Sequence, residues 1–319
     1  MTGQFIELLK CNRCNNSVLK LNKIGIVSSE IDEGEILCNN CHAIFHIRDG
    51  IPEFLHDLPK DVLEEINSSE GVSKFCYLKE PEVYNDEWLL SLPSVTDKRV
   101  NNFEGWQAKI PTFEQALNDF PVGHGEKLLD IGASTTWTTR YFAKKGYDCI
   151  ALDIVKGMYR GLSSSKVYFK HDNIYYERIL APMENMPLKD NSIDHVFSIN
   201  SLHHSNNLIK VFSEIARVLK PGGYGYLVDD TVGYLLKHKR EKEAKKAREL
   251  NQHNDHVYSL HGYKKAISEA NLHLEIILPL KFRQRVGFIG KLPVNMVKRI
   301  YLFISVVRGA GFIFKVKKI

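Results

Sequence analysis

Four of the six cysteines stand in two pairs, Cys11-Asn-Arg-Cys14 and Cys38-Asn-Asn-Cys41, with 23 residues between the pairs. Each C-x-x-C turn presents two thiolates, and two such turns supply the four ligands of one tetrahedral ion. Zinc is the metal that suits four thiolates. A filled tetrahedron leaves no open position for substrate, so the role expected is structural. A stretch of about fifty residues with few large apolar side chains gains its fold from such an ion. Strand-like segments, Ser17–Leu21 and Ile24–Val27, lie between the pairs. His42 and His46 follow the second pair and read as surface or packed residues; Cys149 sits in an apolar run and reads as core.

A second group of candidate residues begins at LLDIGASTTW, residues 128–137. An apolar strand ends in Asp130 and Ile131 and runs into a turn of small residues, Gly132, Ala133 and Ser134. A pyrophosphate-binding turn requires three glycines in G-x-G-x-x-G, and only the first is present here. Asp153 closes the next apolar run, 21 residues after Gly132, where a carboxylate meets ribose hydroxyls. A nucleoside without a diphosphate fits this pair better than a dinucleotide. Further on, His203 and His204 follow the run Ile193–Ile199, and imidazoles there suit proton transfer near neutral pH. Asp229 and Asp230, which close the fifth strand, are further candidates for reaching the same pocket.

The elements that must position these residues alternate in period. Lys127–Ile131, Asp148–Leu152, Ile193–Ile199 and Tyr224–Val228 read as strands; Thr135–Lys145 and Leu208–Leu219 read as helices, the second ended by Lys220-Pro221-Gly222-Gly223. Such alternation predicts an α/β domain with a largely parallel sheet and a site beyond the carboxyl ends of its strands. The expected organisation is a zinc ribbon over 1–57, a linker or helical segment over 58–110, a catalytic domain over 111–280 and a basic, apolar C-terminal tail over 281–319. Prolines at 59, 81, 93 and 111 are expected to limit the linker to short helices, with Trp88 and Trp106 packing on the domain. Lys237–Glu249 predicts a solvated helix, and Leu260–Ala270 an amphipathic one.

The motif order resembles that of the class I S-adenosylmethionine-dependent methyltransferases, in the branch related to the ubiquinone and menaquinone methyltransferases. The resemblance covers about residues 110–275 and rests on LDIGAS (129–134), Asp153, APMENMPL (181–188), NSIDHV (191–196), SLHH (201–204) and EIARVLKPGG (214–223). Residues 5–55, with the cysteine pairs and the AIFHIRDGIPEFL stretch, resemble the small zinc ribbon of the Trm112 type, which in its family accompanies methyltransferases. The resemblance implies a Rossmann-like fold and S-adenosylmethionine as cofactor. It implies cofactor contacts from Asp130, Gly132, Ala133, Ser134, Asp153, Ile154, Met183, Glu184 and Asn200, and a lid or substrate wall that makes His256 and Tyr258 candidate acceptor contacts. Ser134 stands where many members carry glycine, and Pro182 where an acid is common.

Composition sets the remaining bounds. The 319 residues are 44% hydrophobic and 25% charged, as in ordinary globular proteins, and the formal charge is +5. Residues 281–319 hold ten Lys or Arg and no acid, so the body is mildly acidic and the tail strongly basic. No run reaches the ~20 apolar residues of a membrane span, and the first residues lack a secretory pattern. These features predict a cytoplasmic protein, peripheral at an anionic membrane if its tail rests there, and the resemblance implies a methyltransferase acting on a small-molecule or lipid-linked acceptor. An rRNA or tRNA acceptor, and a non-catalytic partner protein, are the alternatives; no Asn-Pro-Pro-Tyr-type motif follows the fourth strand.

Overall fold

The computed structural model describes residues 1–27, 30–233, 235–249, 256–278 and 293–319. A small antiparallel sheet comes first, β1 (Leu19–Val27), β2 (Glu30–Cys38), β3 (Ile44–Arg48) and β4 (Ile51–Pro52), in that spatial order. Alternation in β3 buries Phe45 and Ile47 while Ile44, His46 and Arg48 face outward. Phe45 stacks on Phe54 at 4.2 Å between centroids, closing the ribbon's apolar side.

Three helices follow: α1 (Lys60–Lys79), α2 (Asp86–Ser91) and α3 (Phe103–Asp119). Both α1 and α3 correct the expectation of short helices. No proline falls between Pro59 and Pro81, so α1 runs for 20 residues, tied down by polar contacts: Glu70 accepts from the Lys156 and Gly157 N–H groups, and Ser73 donates to the Met158 carbonyl. Pro111 lies inside α3. Its missing hydrogen bond is offset by the buried ring of Phe113, which packs against Trp137, Phe142 and Phe197.

The main sheet is built from β5 (Lys127–Ile131), β6 (Asp148–Asp153), β7 (Glu177–Leu180), β8 (Ile193–Ile199), β9 (Leu219–Val232), β10 (Leu272–Ile277) and β11 (Gly309–Lys318), in the order β10-β11-β9-β8-β5-β6-β7. Pairings among β7, β6, β5, β8 and β9 are parallel; β11 is antiparallel to both of its neighbours. Around it lie α4 (Trp137–Lys144), α5 (Ser165–Asp172), α6 (Leu208–Val218), α7 (Lys237–Glu249), α8 (Leu260–Glu269) and α9 (Val294–Arg308). Helix α6 shows how sequence fixes such a layer. Asn207 caps it by accepting from the Lys210 N–H, and Leu208, Val211, Phe212, Ile215 and Val218 bury one face.

Placement of β11 corrects the expected tail. Phe312, Phe314 and Val316 are buried at alternate positions, and the strand fills the gap between β9 and β10, so a domain ending at residue 280 would lack an inner strand of its own sheet. Of the ten basic residues, Lys318 donates to Asn191 and to the Leu219 carbonyl, and Lys315 covers Tyr224 and Tyr226. Lys281, Arg283, Arg285 and Lys291 lie outside the described residues. Among the described residues, no helix is long and apolar enough to cross a membrane.

The ribbon joins the outer edge of β7. Phe54 N–H donates to the Leu180 carbonyl, Lys10 N–H to Pro187 and Lys189 N–H to Leu8, and Leu9 bridges Leu188. Phe5, Leu9, Ile31 and Phe45 share one apolar core with Ile179 and Leu188. Ribbon and sheet are thus packed as one body.

Candidate functional site

The Sγ atoms of Cys11, Cys14, Cys38 and Cys41 all lie within 4.8 Å of one another. The Cys11–Cys41 and Cys14–Cys38 separations are 3.6 and 3.5 Å. A tetrahedron with ~2.3 Å zinc–sulfur bonds has sulfur–sulfur edges of about 3.8 Å, whereas a disulfide needs ~2.0 Å. Spacing and chemistry therefore fit a four-thiolate zinc site. His42 and His46 are not part of the cluster.

A cavity of about 260 Å³ opens beyond the carboxyl ends of β5, β6 and β8. Its floor is the turn after β5. The N–H groups of Gly132 and Ala133 donate to the Leu152 carbonyl, pinning the turn to β6. Gly132 has φ +68°, and a Cβ there would stand 2.3 Å from the Ser201 Cβ. Ser134 adopts φ +48° and holds that left-handed conformation with two bonds: its N–H reaches Asp153 Oδ2 at 2.7 Å and its hydroxyl reaches the Arg160 carbonyl at 3.2 Å. The serine at this position is accommodated by hydrogen bonding where glycine would need none.

Asp153 closes β6 at the cavity wall. Its Oδ1 accepts the N–H groups of Ile154 and Val155 at 2.7 and 2.9 Å. Burial pushes its carboxyl up and the Glu65 charge adds to that, against the pull of these three N–H donors. Ile154, Met183, Glu184 and Asn200 line the same cavity. Glu184 Oε1 accepts from the Ser205 hydroxyl and the Asn206 N–H at 2.6 and 3.1 Å, which fastens the 181–184 loop to the segment after β8.

Asp130 departs from its expected place. Its carboxylate turns under α4, accepting the Thr138 and Thr139 hydroxyls at 2.5 and 2.6 Å, and it is absent from the cavity wall. It organises the turn from below. Burial raises its carboxyl to about 6, with the Asp153 charge adding to the shift. Because an unfolded aspartate titrates near 3.8, the folded state holds a proton between pH 4 and 6 that the unfolded state releases. Stability attributable to this group falls as pH rises through that window, and the cost, about 3 kcal/mol, is complete above pH 6. Asp130→Asn keeps an acceptor for both hydroxyls. Its unfolding free energy in urea is expected to gain on the wild type steadily from pH 4 to 6 and to keep the gain at pH 7; equal pH curves would refute the assignment.

The histidine pair divides. His203 Nδ1 lies 2.7 Å from Asp229 Oδ1, its N–H donates to Oδ2 at 3.0 Å, and it is not part of the cavity wall. His204 is part of it, with Nδ1 3.2 Å from Glu65 Oε1 of α1. The rings lie 4.4 Å apart. Burial works to raise the Asp229 carboxyl; the His203 ring and the Asp230 N–H outweigh it and hold the group below the usual range. Asp230 goes the other way, pushed up by burial and by Asp229.

His256 and Tyr258 do not reach the cavity. The His256 N–H donates to the His203 carbonyl and its Nε2 pairs with Asn206 Oδ1 at 2.7 Å, while the Tyr258 hydroxyl donates to the Ser205 carbonyl. They brace the 203–206 segment from behind; Asn254 and Asp255 lie outside the described residues. The sequence reading missed Glu65, Lys109, Trp137 and Arg160, which complete the wall together with Trp106. Trp106 carried a signal, an aromatic in a supposed linker. Trp88 is buried instead against Tyr84 and Tyr159.

Comparisons with known proteins agree with this geometry. Residues 129–227 match the family model described as a methyltransferase domain, and residues 4–50 match that of Trm112p-like protein. With the site's geometry, these matches support a class I S-adenosylmethionine-dependent methyltransferase domain with an N-terminal Trm112-like region. The chain is similar to the biotin biosynthesis bifunctional protein BioHC of Cellvibrio japonicus, 34% identical over 114 residues, 36% of this chain and 22% of that protein. It is also similar to a demethylmenaquinone methyltransferase of Corynebacterium efficiens, 35% identical over 99 residues, 31% of this chain and 39% of that protein. The chain thus spans two-fifths or less of these relatives' length. Its fold is similar to that of a geranyl diphosphate C-methyltransferase from Streptomyces coelicolor, with TM-score 0.56 at 12% identity over 82% of this chain and 99% of that one.

Proposed function

We propose that the protein transfers a methyl group from S-adenosylmethionine to a small-molecule acceptor. The observation that carries this reading is the cavity beyond β5, β6 and β8, where Gly132 leaves a close-set floor, Asp153 a carboxylate and His204 an imidazole around one space. The cofactor supplies an activated methyl group bonded to a sulfonium. This chain's task is then to bind, orient and exclude water. Asp153 suits the two ribose hydroxyls, Gly132, Ala133 and Ser134 the methionine portion, and Met183 and Glu184 the adenine. Ile154 and Asn200 complete the cofactor contacts. His204 is the base for acceptors that must lose a proton, while His203, fixed by Asp229, packs against it with the rings tilted by 35°.

The relatives named for demethylmenaquinone methyl transfer and for biotin biosynthesis support a small-molecule acceptor. A lipid-linked acceptor is the narrower reading, in keeping with the demethylmenaquinone for which one relative is named. Calorimetry on the zinc-loaded protein tests the cofactor assignment. Wild type is expected to bind S-adenosylmethionine and Asp153→Ala to bind it at least 30-fold more weakly, about 2 kcal/mol for two charge-assisted hydrogen bonds. Wild-type protein that does not bind it would sink the enzyme reading in favour of a partner protein.

A further inference from the structure

Helix α9 packs on the body with one face and leaves another bare. Val297 and Tyr301, one turn apart, are buried; the Tyr301 hydroxyl donates to the Gly311 carbonyl, and its ring lies edge-on to Phe312 of β11. Met296, Arg299, Phe303 and Val306 succeed one another at spacings of three and four residues, which puts them in one stripe along the helix. All four are exposed, Phe303 to 72% and Val306 to 56%. The Leu235 N–H donates to the Val307 carbonyl, which sets Leu235 and Leu236 beside the end of this stripe. Both leucines are exposed as well, Leu235 to 65%. Single apolar side chains on a surface are ordinary, whereas Met296, Phe303, Val306, Leu235 and Leu236 together form a continuous apolar band of the kind that marks a contact site.

The charge around this band has one sign. Arg299 stands within the stripe, Lys298 and Arg308 belong to the same helix, and residues 281–319 hold no acid. Helix α7, which continues from Leu236, adds seven Lys or Arg against three Glu. We infer that the band is a docking surface for an anionic lipid bilayer, with α9 lying in the plane of the headgroups. Its apolar side chains enter the boundary with the acyl chains while the cations meet lipid phosphates. A helix of 15 residues is too short to span a bilayer and rests on it. A second copy of the chain would bring the same positive charge against this face. Nucleic acid would answer the cations but leave Met296, Val306 and the two leucines in water, because it offers phosphates and stacking bases rather than an apolar layer. Of the other basic residues in this stretch, Lys315 lies over Tyr224 and Tyr226, and Lys318 is bonded to Asn191 and to the Leu219 carbonyl, so the contact belongs to α9 rather than to β11.

The test uses the full, zinc-loaded chain as wild type, as the double variant Phe303→Ser with Val306→Ser, as Arg299→Gln and as Phe303→Trp. Each is sedimented with vesicles of phosphatidylcholine alone and with vesicles of equal parts phosphatidylcholine and phosphatidylglycerol. Wild type is expected to pellet with the mixed vesicles and to bind pure phosphatidylcholine at least roughly tenfold more weakly. The double serine variant is expected to lose roughly tenfold or more in affinity for the mixed vesicles, and Arg299→Gln severalfold. Brominated acyl chains in the mixed vesicles should quench the emission of Phe303→Trp more than that of wild type, which reports insertion at this position. Wild type that ignores the mixed vesicles, binding that the double serine variant leaves unchanged, or equal quenching in the two proteins would overturn the surface. So would a dimer in sedimentation velocity that the double variant dissolves in the absence of vesicle binding, which would make the band a contact between copies. Binding of polyuridylate by protein that ignores vesicles would overturn it in favour of a nucleic-acid face. Unchanged thermal melting of the variants guards against misfolding as the cause. The readout needs no cofactor, so failure of the methyltransferase reading leaves this test intact.

Discussion

Gly132→Val is expected to abolish S-adenosylmethionine binding, with affinity falling more than 100-fold. Two independent costs act at this position. The backbone is at φ +68°, where a β-branched residue is strained by roughly 1–2 kcal/mol. The added Cβ would also stand 2.3 Å from the Ser201 Cβ and 2.5 Å from its Oγ. Ser201 cannot swing aside freely, because its hydroxyl donates to the Ile131 carbonyl at 3.0 Å and pairs with Ser198 Oγ at 2.7 Å. Relief must come from the turn itself, and moving it breaks the bonds from Gly132 and Ala133 to the Leu152 carbonyl that set the cavity floor. Equilibrium titration of the variant, beside circular dichroism showing a retained fold, checks this. Undiminished binding would mean that the turn is not the cofactor's floor.

Removing the metal is expected to have the larger effect on stability. Structural zinc contributes about 10–16 kcal/mol to small folded sites at neutral pH. Here the four thiolates are the link between the first cysteine turn and the hairpin of β2 and β3, and the N-terminal segment has no disulfide to take over. Chelation, or Cys38→Ser, should melt the ribbon and expose the apolar side formed by Phe5, Leu9, Ile31 and Phe45. A fall of more than 10 °C in the main melting transition and the release of one zinc per chain, read with a chromogenic chelator, are the expected results. An unchanged melt after verified metal loss would show that packing alone holds the ribbon.

Much of this was legible in residue types and spacing. Two C-x-x-C turns, a glycine followed 21 residues later by an acid, and strands alternating with helices point to local events, and local events are what periodicity records. Gly132, Ala133, Ser134, Asp153, Ile154, Met183, Glu184 and Asn200 do line one cavity. Asp130 was misassigned because a motif gives position along a strand but not the direction of a carboxylate, and the Thr138 and Thr139 hydroxyls decided that direction. Glu65, Lys109 and Arg160 were invisible for a different reason. They reach the cavity from three separate segments, and no spacing encodes a meeting made by tertiary packing. The strand β11 was half legible: the apolar residues in the basic tail were a sign of docking on the body, but its inner place between β9 and β10, filled by Phe312, Phe314 and Val316, comes from tertiary pairing that no spacing records.

The ribbon's seat on β7 has a consequence for the molecule among its own copies. A terminal strand of a parallel sheet offers a row of open amide and carbonyl groups to any extended chain that meets it. On this side of the sheet that template is already taken: Phe54 and Leu180 are hydrogen-bonded, and the loop after β7 is paired through Lys10 and Lys189. The cysteine turns hold in place the segment that covers this edge, so melting the ribbon is expected to leave the β7 backbone groups open to another extended chain.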